Sequence, residues 1–389
     1  MTNCKTFRNF DPSRVPSPCF VVDEVAVENN LRILQHVQQA SGAKVLLALK
    51  AFSMFSLAPL FNRYLSGTCA SGLYEARLGA SEFAGAVHTF CAAYKEDDLR
   101  EILQISDHVL FNSLSQWQRF QPLIEQARQQ RPELQFGLRI NPLHSEGSTP
   151  IYDPCAPGSR LGIPKSEFAG QDLQGISGLH FHTLCEQDFA PLDRTLAAVE
   201  AQFGEQLHQM QWVNFGGGHH ITRAGYPLEA LIKRIIEFQD KYAVQVYLEP
   251  GEAAVLHSGV LVAEVLDLSY NQMALAILDT SATCHMPDTL EMPYRADIFT
   301  AGEQDEKAFN YRLGGQTCLA GDVMGDYSFD QQLQVGQRLI FDDMAHYTMV
   351  KTTTFNGIPL PAMAIWSSAT DELKLVREFD YNDFKQRLS

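Results

Sequence analysis

Between Val21 and Gly251 the chain alternates short apolar runs with segments of helical spacing, and the runs number eight. They are VLLAL (Val45–Leu49), TCAS (Thr68–Ser71), HTFCAA (His88–Ala93), HVLFNS (His108–Ser113), QFGLRIN (Gln135–Asn141), ISGLHFHT (Ile176–Thr183), WVNFGGG (Trp212–Gly218) and VQVYLEPG (Val244–Gly251). Helical spacing covers Glu75–Phe83, Ser115–Gln130, Asp193–His208 and Pro227–Tyr242. Strands alternating with helices imply parallel βα units, and eight of them suggest closure into a TIM-like (β/α)8 barrel. An open doubly wound sheet competes, but its glycine-rich turn normally follows the first strand, whereas here the glycines follow the seventh. The barrel is therefore predicted over residues 21–255.

Beyond Glu252 the pattern changes. Val260–Leu268, Met273–Asp279, Thr317–Gly321, Arg338–Asp342 and Leu373–Arg377 read as strands joined by turns, which predicts a mainly β domain over residues 256–389. The segment 1–20, leading into CFVVD (Cys19–Asp23), is placed to add a strand to it. The loop Leu143–Pro164, rich in Gly, Pro and Ser, is longer than a plain connector and reads as a functional excursion.

Composition removes several classes of function. With 30 Lys+Arg against 46 Asp+Glu the formal net charge is −16, so no basic surface is available for a nucleic acid. The balance mildly favours a cationic partner, although solubility alone explains many acidic enzymes. Eight cysteines (Cys4, Cys19, Cys69, Cys91, Cys155, Cys185, Cys284, Cys318) are scattered without a CxxC pair, as expected for reduced thiols in a cytoplasmic enzyme. No run approaches the ~18 apolar residues of a membrane helix, and the N-terminus lacks a secretory apolar segment.

In such barrels the active site lies at the C-terminal strand ends. Those ends carry Lys50, Ser71, Asn112, Arg139 with Asn141, His182, Gly216–Gly218 and Glu249. An amine delivered by an apolar strand into a low-dielectric pocket has a depressed pKa and can form a Schiff base with an aldehyde; a solvated loop lysine is the plainer reading. Three glycines after strand seven can present backbone N–H groups to an anion, or simply make a tight turn. His180 and His182 share a strand face and could chelate a metal, or one ring could stack on an aromatic cofactor. No acid-and-histidine set completes a metal centre at the remaining ends, so no metal is expected. A carboxylate such as Glu249 can hold a heteroaromatic nitrogen protonated.

Lys50, His182, Gly216–Gly218 and Glu249, in that order on a barrel followed by a β domain, resemble the fold-type III pyridoxal phosphate decarboxylases, which include the ornithine and diaminopimelate decarboxylases. GGQTCLAGDVMGD (Gly314–Asp326) resembles the cysteine motif of that family, and FDDMAHYTMVKTTTFNG (Phe341–Gly357) its tyrosine motif. SGLYEARLGA (Ser71–Ala80), HFHTLCE (His180–Glu186), EPGEA (Glu249–Ala253) and ATCHMPDTLEMPYR (Ala282–Arg295) are similar to the branch that decarboxylates carboxylated polyamines. The resemblance implies an alanine racemase-like barrel with pyridoxal 5'-phosphate as cofactor and a homodimer with shared active sites.

Position by position it implies Lys50 as the cofactor-holding amine, His182 stacked on the ring and Glu249 at the ring nitrogen, supported by Arg139. It implies Gly216, Gly217, Gly218 and Tyr347 at the phosphate, and Cys318 entering from the partner as the proton donor. The role of Glu75 stays open, as does the choice between Thr183 and Cys185 in the strand-six loop. Many relatives have Arg where this chain has Glu252, which would repel phosphate and throws more weight on backbone N–H groups and Tyr347. Glu252 and Asp288, with Asp322, are expected to contact the amines of a cationic carboxylated polyamine. The alternative for Asp288 is a plain turn residue. Rival readings are a diaminopimelate or other basic amino-acid decarboxylase, a metal-dependent barrel hydrolase, and a non-catalytic cofactor-binding protein.

Overall fold

Eight parallel strands close on themselves, because each apolar run buries one set of alternate side chains inside a cylinder and the other against surrounding helices. The computed structural model describes residues 4–147 and 150–389, which fall into two compact units. One unit is Asn30–Ala254; the other joins the residues up to Asn29 with Val255–Ser389.

The first unit holds the barrel. Its strands are Lys44–Ala48, Gly67–Ala70, Ala86–Phe90, His108–Phe111, Gln135–Asn141, Gly178–His180, Trp212–Asn214 and Gln245–Leu248. Each pairs in parallel with the next, and Gln245–Leu248 closes on Lys44–Ala48. All eight expected strands are present, although several stop earlier than the apolar runs suggested. The helical spacing over Ser115–Gln130 becomes two helices, Leu114–Arg119 and Gln121–Gln130, meeting at Phe120. Pro122, in the first turn of the second helix, has no N–H to continue the ladder from the first. The Leu143–Pro164 loop has two residues, 148 and 149, outside the described set. Elsewhere it contains the short helix Pro150–Tyr152 and the two-residue strand Ile163–Pro164, which pairs beside Asn141.

Alternation along the strands decides what fills the cylinder. One layer gathers His88, His108, Trp212 and Tyr247: the two imidazoles stack at 3.8 Å and His108 lies 4.7 Å from Trp212. Burial pushes His88 well below the ordinary histidine value and His108 down to about 4, so this layer carries neutral rings. Trp212 fits because two neighbouring strands place glycine against it. A Cβ on Gly178 would lie 2.0 Å from its ring and one on Gly137 2.4 Å.

In the second unit the strand order is Val323–Phe329, Phe309–Gly314, Met273–Leu278, Gly259–Asn271, Cys19–Asp23, Ala362–Trp366 and Leu373–Arg377, and Arg338–Phe341 also pairs with Gly259–Asn271. Cys19–Asp23 runs antiparallel to Gly259–Asn271 and parallel to Ala362–Trp366. Phe7, Phe10, Val21, Val260, Val262, Ala364 and Trp366 form its packed core.

The strand expected over Thr317–Gly321 is a loop. Asp322 accepts from the Thr317 N–H and hydroxyl, and its own carbonyl accepts from Gly315, which folds the segment into a turn between the flanking strands. Those flanking strands, with Ala362–Trp366, are the ones that the apolar pattern did not show. FNYRLG and VMGDYSF carry polar residues along a partly solvated pair, and AMAIW is short and follows two prolines.

Gly178→Ala is expected to destabilise the barrel by about 1–3 kcal/mol through overpacking. Adding Trp212→Phe should return part of that loss by freeing space, as read from urea unfolding of both variants. A loss that the second substitution leaves unchanged would contradict this packing account.

Candidate active site

The same alternation aims a second layer of side chains toward the C-terminal strand ends. Gly178, His180 and His182 lie two apart on the sixth strand and its extension; Trp212, Asn214 and Gly216 do so on the seventh, and Tyr247 and Glu249 on the eighth. Each apolar floor residue is thus followed by a polar one at the mouth.

Glu249 is the most constrained of these. Asn214 Nδ2 donates to its Oε1 at 2.6 Å, and His180 Nε2 lies 3.3 Å from its Oε2. Burial acts to raise the pKa of this carboxyl, yet His180 and Asn214 outweigh it and hold it below the usual glutamate range. The carboxylate is therefore ionised at neutral pH. Cys69, on the second strand, also donates to Glu249, and burial pushes its thiol well up, so it remains protonated. Arg139 lies buried with its guanidinium 4.7 Å above the Phe90 ring, and it donates to the His182 carbonyl at 2.9 Å. Burial lowers its pKa to about 10, which still leaves it cationic at neutral pH, in the field of Glu249.

Lys50 opens to solvent at the end of the first strand, but protein surrounds its amine, and desolvation lowers its pKa. Its Nζ lies 3.3 Å from His182 Nε2. The Gly217 N–H donates to His182 Nδ1 at 3.1 Å, which requires an unprotonated Nδ1. Burial also drives the His182 pKa well below the usual value, so the ring is neutral with its proton on Nε2. That proton points at Lys50, and only an uncharged amine can accept it. Burial and hydrogen-bond direction thus act the same way, both favouring the uncharged Lys50 amine.

The three glycines have a packing reason as well as a chemical one. A Cβ at Gly216, Gly217 or Gly218 would lie 2.5 Å from Phe181 O, 2.1 Å from Glu249 O or 1.9 Å from Leu184 O, so the turn passes directly against the sixth and eighth strand ends. Gly216 and Gly218 also take positive φ, 69° and 86°.

Other strand-end residues turn out to hold loops. Asn112 and Asn141 bond to the backbone of Pro154, Arg160, Leu161 and Gly162 and so anchor the long fifth loop. Glu75 accepts the Ser71 N–H at 2.7 Å, tying the second strand to the helix that follows, while burial raises its pKa. Thr183 is buried, and the Cys185 N–H faces Gln187 Oε1 at 3.4 Å. Glu252 Oε1 lies 3.2 Å from His220 Nε2.

The remaining expected site residues belong to the second unit. Cys318 is exposed, and its N–H donates to Asn356 Oδ1 at 2.8 Å. Tyr347 takes a positive φ of 43°. Asp288 and its neighbour Glu291 both bind the Lys351 ammonium. Asp322 is buried, and its carboxylate is shared by the Ser281 and Thr317 hydroxyls and the Thr283 N–H. It orders its own loop.

Sequence reasoning passed over Asn214, Cys69 and Phe90. Counting inward positions back by two from Gly216 would have found Asn214, but nothing in the sequence marks Cys69 or Phe90 as neighbours of Glu249 and Arg139. Among the described residues, no group of three or more His, Cys, Asp or Glu is placed to hold a metal ion.

A lysine amine of lowered pKa, a buried carboxylate held below the usual glutamate range and an imidazole of fixed tautomer are a donor set that fits a pyridoxal group. The family model described as pyridoxal-dependent decarboxylase, C-terminal sheet domain, matches residues 19–345. The chain belongs to the pyridoxal-dependent decarboxylases. It is 44% identical over 385 residues to the carboxynorspermidine/carboxyspermidine decarboxylase of Campylobacter jejuni, covering 96% of this chain and 99% of that protein. It is 45% identical over 378 residues to the carboxyaminopropylagmatine decarboxylase of Synechocystis, covering 97% and 96%. The crystal structure of carboxynorspermidine decarboxylase complexed with norspermidine from Campylobacter jejuni superposes with a TM-score of 0.88 at 43% identity, covering 96% of this chain and 100% of that one.

The lowered pKa of Lys50 has a kinetic consequence. The rate at which cofactor-depleted protein combines with pyridoxal phosphate should rise with pH and level off below the ordinary lysine value of about 10.4. Stopped-flow absorbance across a pH series measures it, and a half-point at or above that value would refute a desolvated amine.

Proposed function

We propose that this chain is a pyridoxal 5'-phosphate-dependent decarboxylase of carboxynorspermidine and carboxyspermidine, releasing norspermidine and spermidine. One observation carries the chemistry: the Gly217–His182–Lys50 chain favours the uncharged lysine amine, in a site where Glu249 is held below the usual glutamate range. The substrate assignment is supported by near full-length identity to an enzyme of that name.

The bound pyridoxal group supplies an electron sink for the electrons left when the substrate α-carboxylate departs as carbon dioxide. This chain's residues do the rest. Lys50 would hold the group through its amine, whose pKa burial lowers. His182, oriented by Gly217, would face the ring. Glu249 would accept a hydrogen bond from the protonated ring nitrogen, with Asn214 and His180 fixing both carboxylate oxygens. The glycine turn and the Tyr347 hydroxyl are assigned to the phosphate.

Cys318 is proposed as the general acid that returns a proton to the α-carbon, supplied by a second copy of the chain in a homodimer. Asp288 is proposed at the terminal ammonium of the polyamine. A cytoplasmic setting accords with eight free thiols; among the described residues no helix is long and apolar enough to cross a membrane.

Purified protein should absorb in the visible with added pyridoxal phosphate, and Lys50→Ala should abolish that band. Glu249→Gln should keep the band but lower kcat by roughly 10²–10³, the usual loss when one preorganised charge is removed. The substrate panel must contain carboxynorspermidine, carboxyspermidine, diaminopimelate and carboxyaminopropylagmatine. Highest kcat/KM on diaminopimelate or on the guanidino compound would displace the proposed substrate while leaving the decarboxylase reading intact.

Shared sites have their own test. Mixing inactive Lys50→Ala and Cys318→Ala proteins should restore up to about a quarter of wild-type activity, since random pairing of two chains leaves one intact site in mixed dimers. No recovery after verified subunit exchange would rule out donation of Cys318 in trans.

A further inference from the structure

The glycine turn does not have all its donors free. The Gly216 N–H donates to Asn214 Oδ1 at 2.8 Å and the Gly217 N–H to His182 Nδ1. A phosphate dianion therefore needs a counter-charge beyond this turn. In barrels that bind phosphate, the group commonly lies at the loops after strands seven and eight. Here those two loops carry His220 and Glu252.

The two residues are locked together. Thr222 Oγ1 donates to the Ala253 carbonyl at 2.5 Å and clasps one loop to the other, while the His220 N–H donates to Gln187 O at 2.9 Å and fixes the backbone from the sixth strand loop. His220 is about nine-tenths buried. Its Nε2 lies 3.2 Å from Glu252 Oε1, off the line of a good hydrogen bond but within ion-pair distance. The neighbouring cation and imidazole are engaged elsewhere: Arg223 lies 3.6 Å from Asp188, and His219, its pKa lowered by burial to about 3, has Nδ1 2.7 Å from the Tyr226 hydroxyl.

We propose that His220, oriented by Glu252, is the cationic contact for the phosphate of bound pyridoxal phosphate. With Nε2 turned to the carboxylate, Nδ1 is the nitrogen left to donate to a phosphate oxygen. A carboxylate 3.2 Å from Nε2 on one side and a phosphate on the other would together favour a cationic ring once the phosphate is bound. Glu252 then acts through His220 as a positioning residue, and its negative charge is balanced within the chain. This role differs from the amine contact expected of it from the sequence. The inference rests on pyridoxal phosphate being the cofactor, as proposed above.

The test compares affinities of cofactor-depleted protein for pyridoxal phosphate and for pyridoxal, which lacks the phosphate, by titrating the visible absorbance. Wild type should prefer the phosphate form strongly. His220→Gln should narrow that preference about 10- to 100-fold, the range for loss of a charge-assisted hydrogen bond, and leave pyridoxal affinity unchanged. Glu252→Gln should narrow it in the same direction by a smaller factor, and His220→Arg should restore it in part. An unchanged preference in folded His220→Gln overturns the proposal. So does a Glu252→Gln protein that keeps the preference and changes only KM for the polyamine. If wild type binds neither compound while remaining folded, the cofactor reading itself fails, which is a distinct result.

Discussion

A carboxylate kept ionised inside a protein is the constraint around which this barrel is organised. Transferring such a charge from water is costly unless several partners share it. Glu249 has those partners from separate strands: Cys69 from the second, Arg139 through its field from the fifth, His180 from the sixth and Asn214 from the seventh. Their convergence needs closure of the sheet, because residues so far apart in sequence meet only when the eighth strand returns to the first. Removing any one partner weakens the charge balance of the rest, so these side chains act as a unit.

The paired opposite of Glu249 is the amine of Lys50, which must be uncharged to react. Burial alone would make it so at a cost in stability, but the structure adds direction. Gly217 N–H selects one tautomer of His182, and that tautomer turns its proton toward Nζ. A backbone donor on the seventh strand loop thereby governs the protonation of a side chain on the first. Glycine at 216–218 is what lets that donor come close enough, since any Cβ there would strike the neighbouring strand ends.

Much of the barrel was legible in the amino-acid order because its runs are apolar, short and evenly interrupted, and the strand ends pointed directly to Lys50, Arg139, His182 and Glu249. Legibility was poorer in the second unit. Phe309–Gly314 and Val323–Phe329 carry polar residues along partly solvated faces, and the apolar-looking Thr317–Gly321 is bent into a turn by Asp322. Asn112 and Asn141 looked like site residues by position, yet their hydrogen bonds are to loop backbone. A strand-end position shows where a side chain starts and says nothing of which donor it will find.

The sequence by itself determined the eightfold alternation, the inward register and the chemical types set at the barrel mouth, since these follow from periodicity along a single chain. Only the tertiary structure decided their charge states and partners. A pKa depends on what lies within a few ångströms, and those neighbours come from other strands. The lowered pKa of Lys50, the lowered pKa of Glu249, the turn of His220 toward Glu252 and the capture of Asp288 by Lys351 are decisions of that kind.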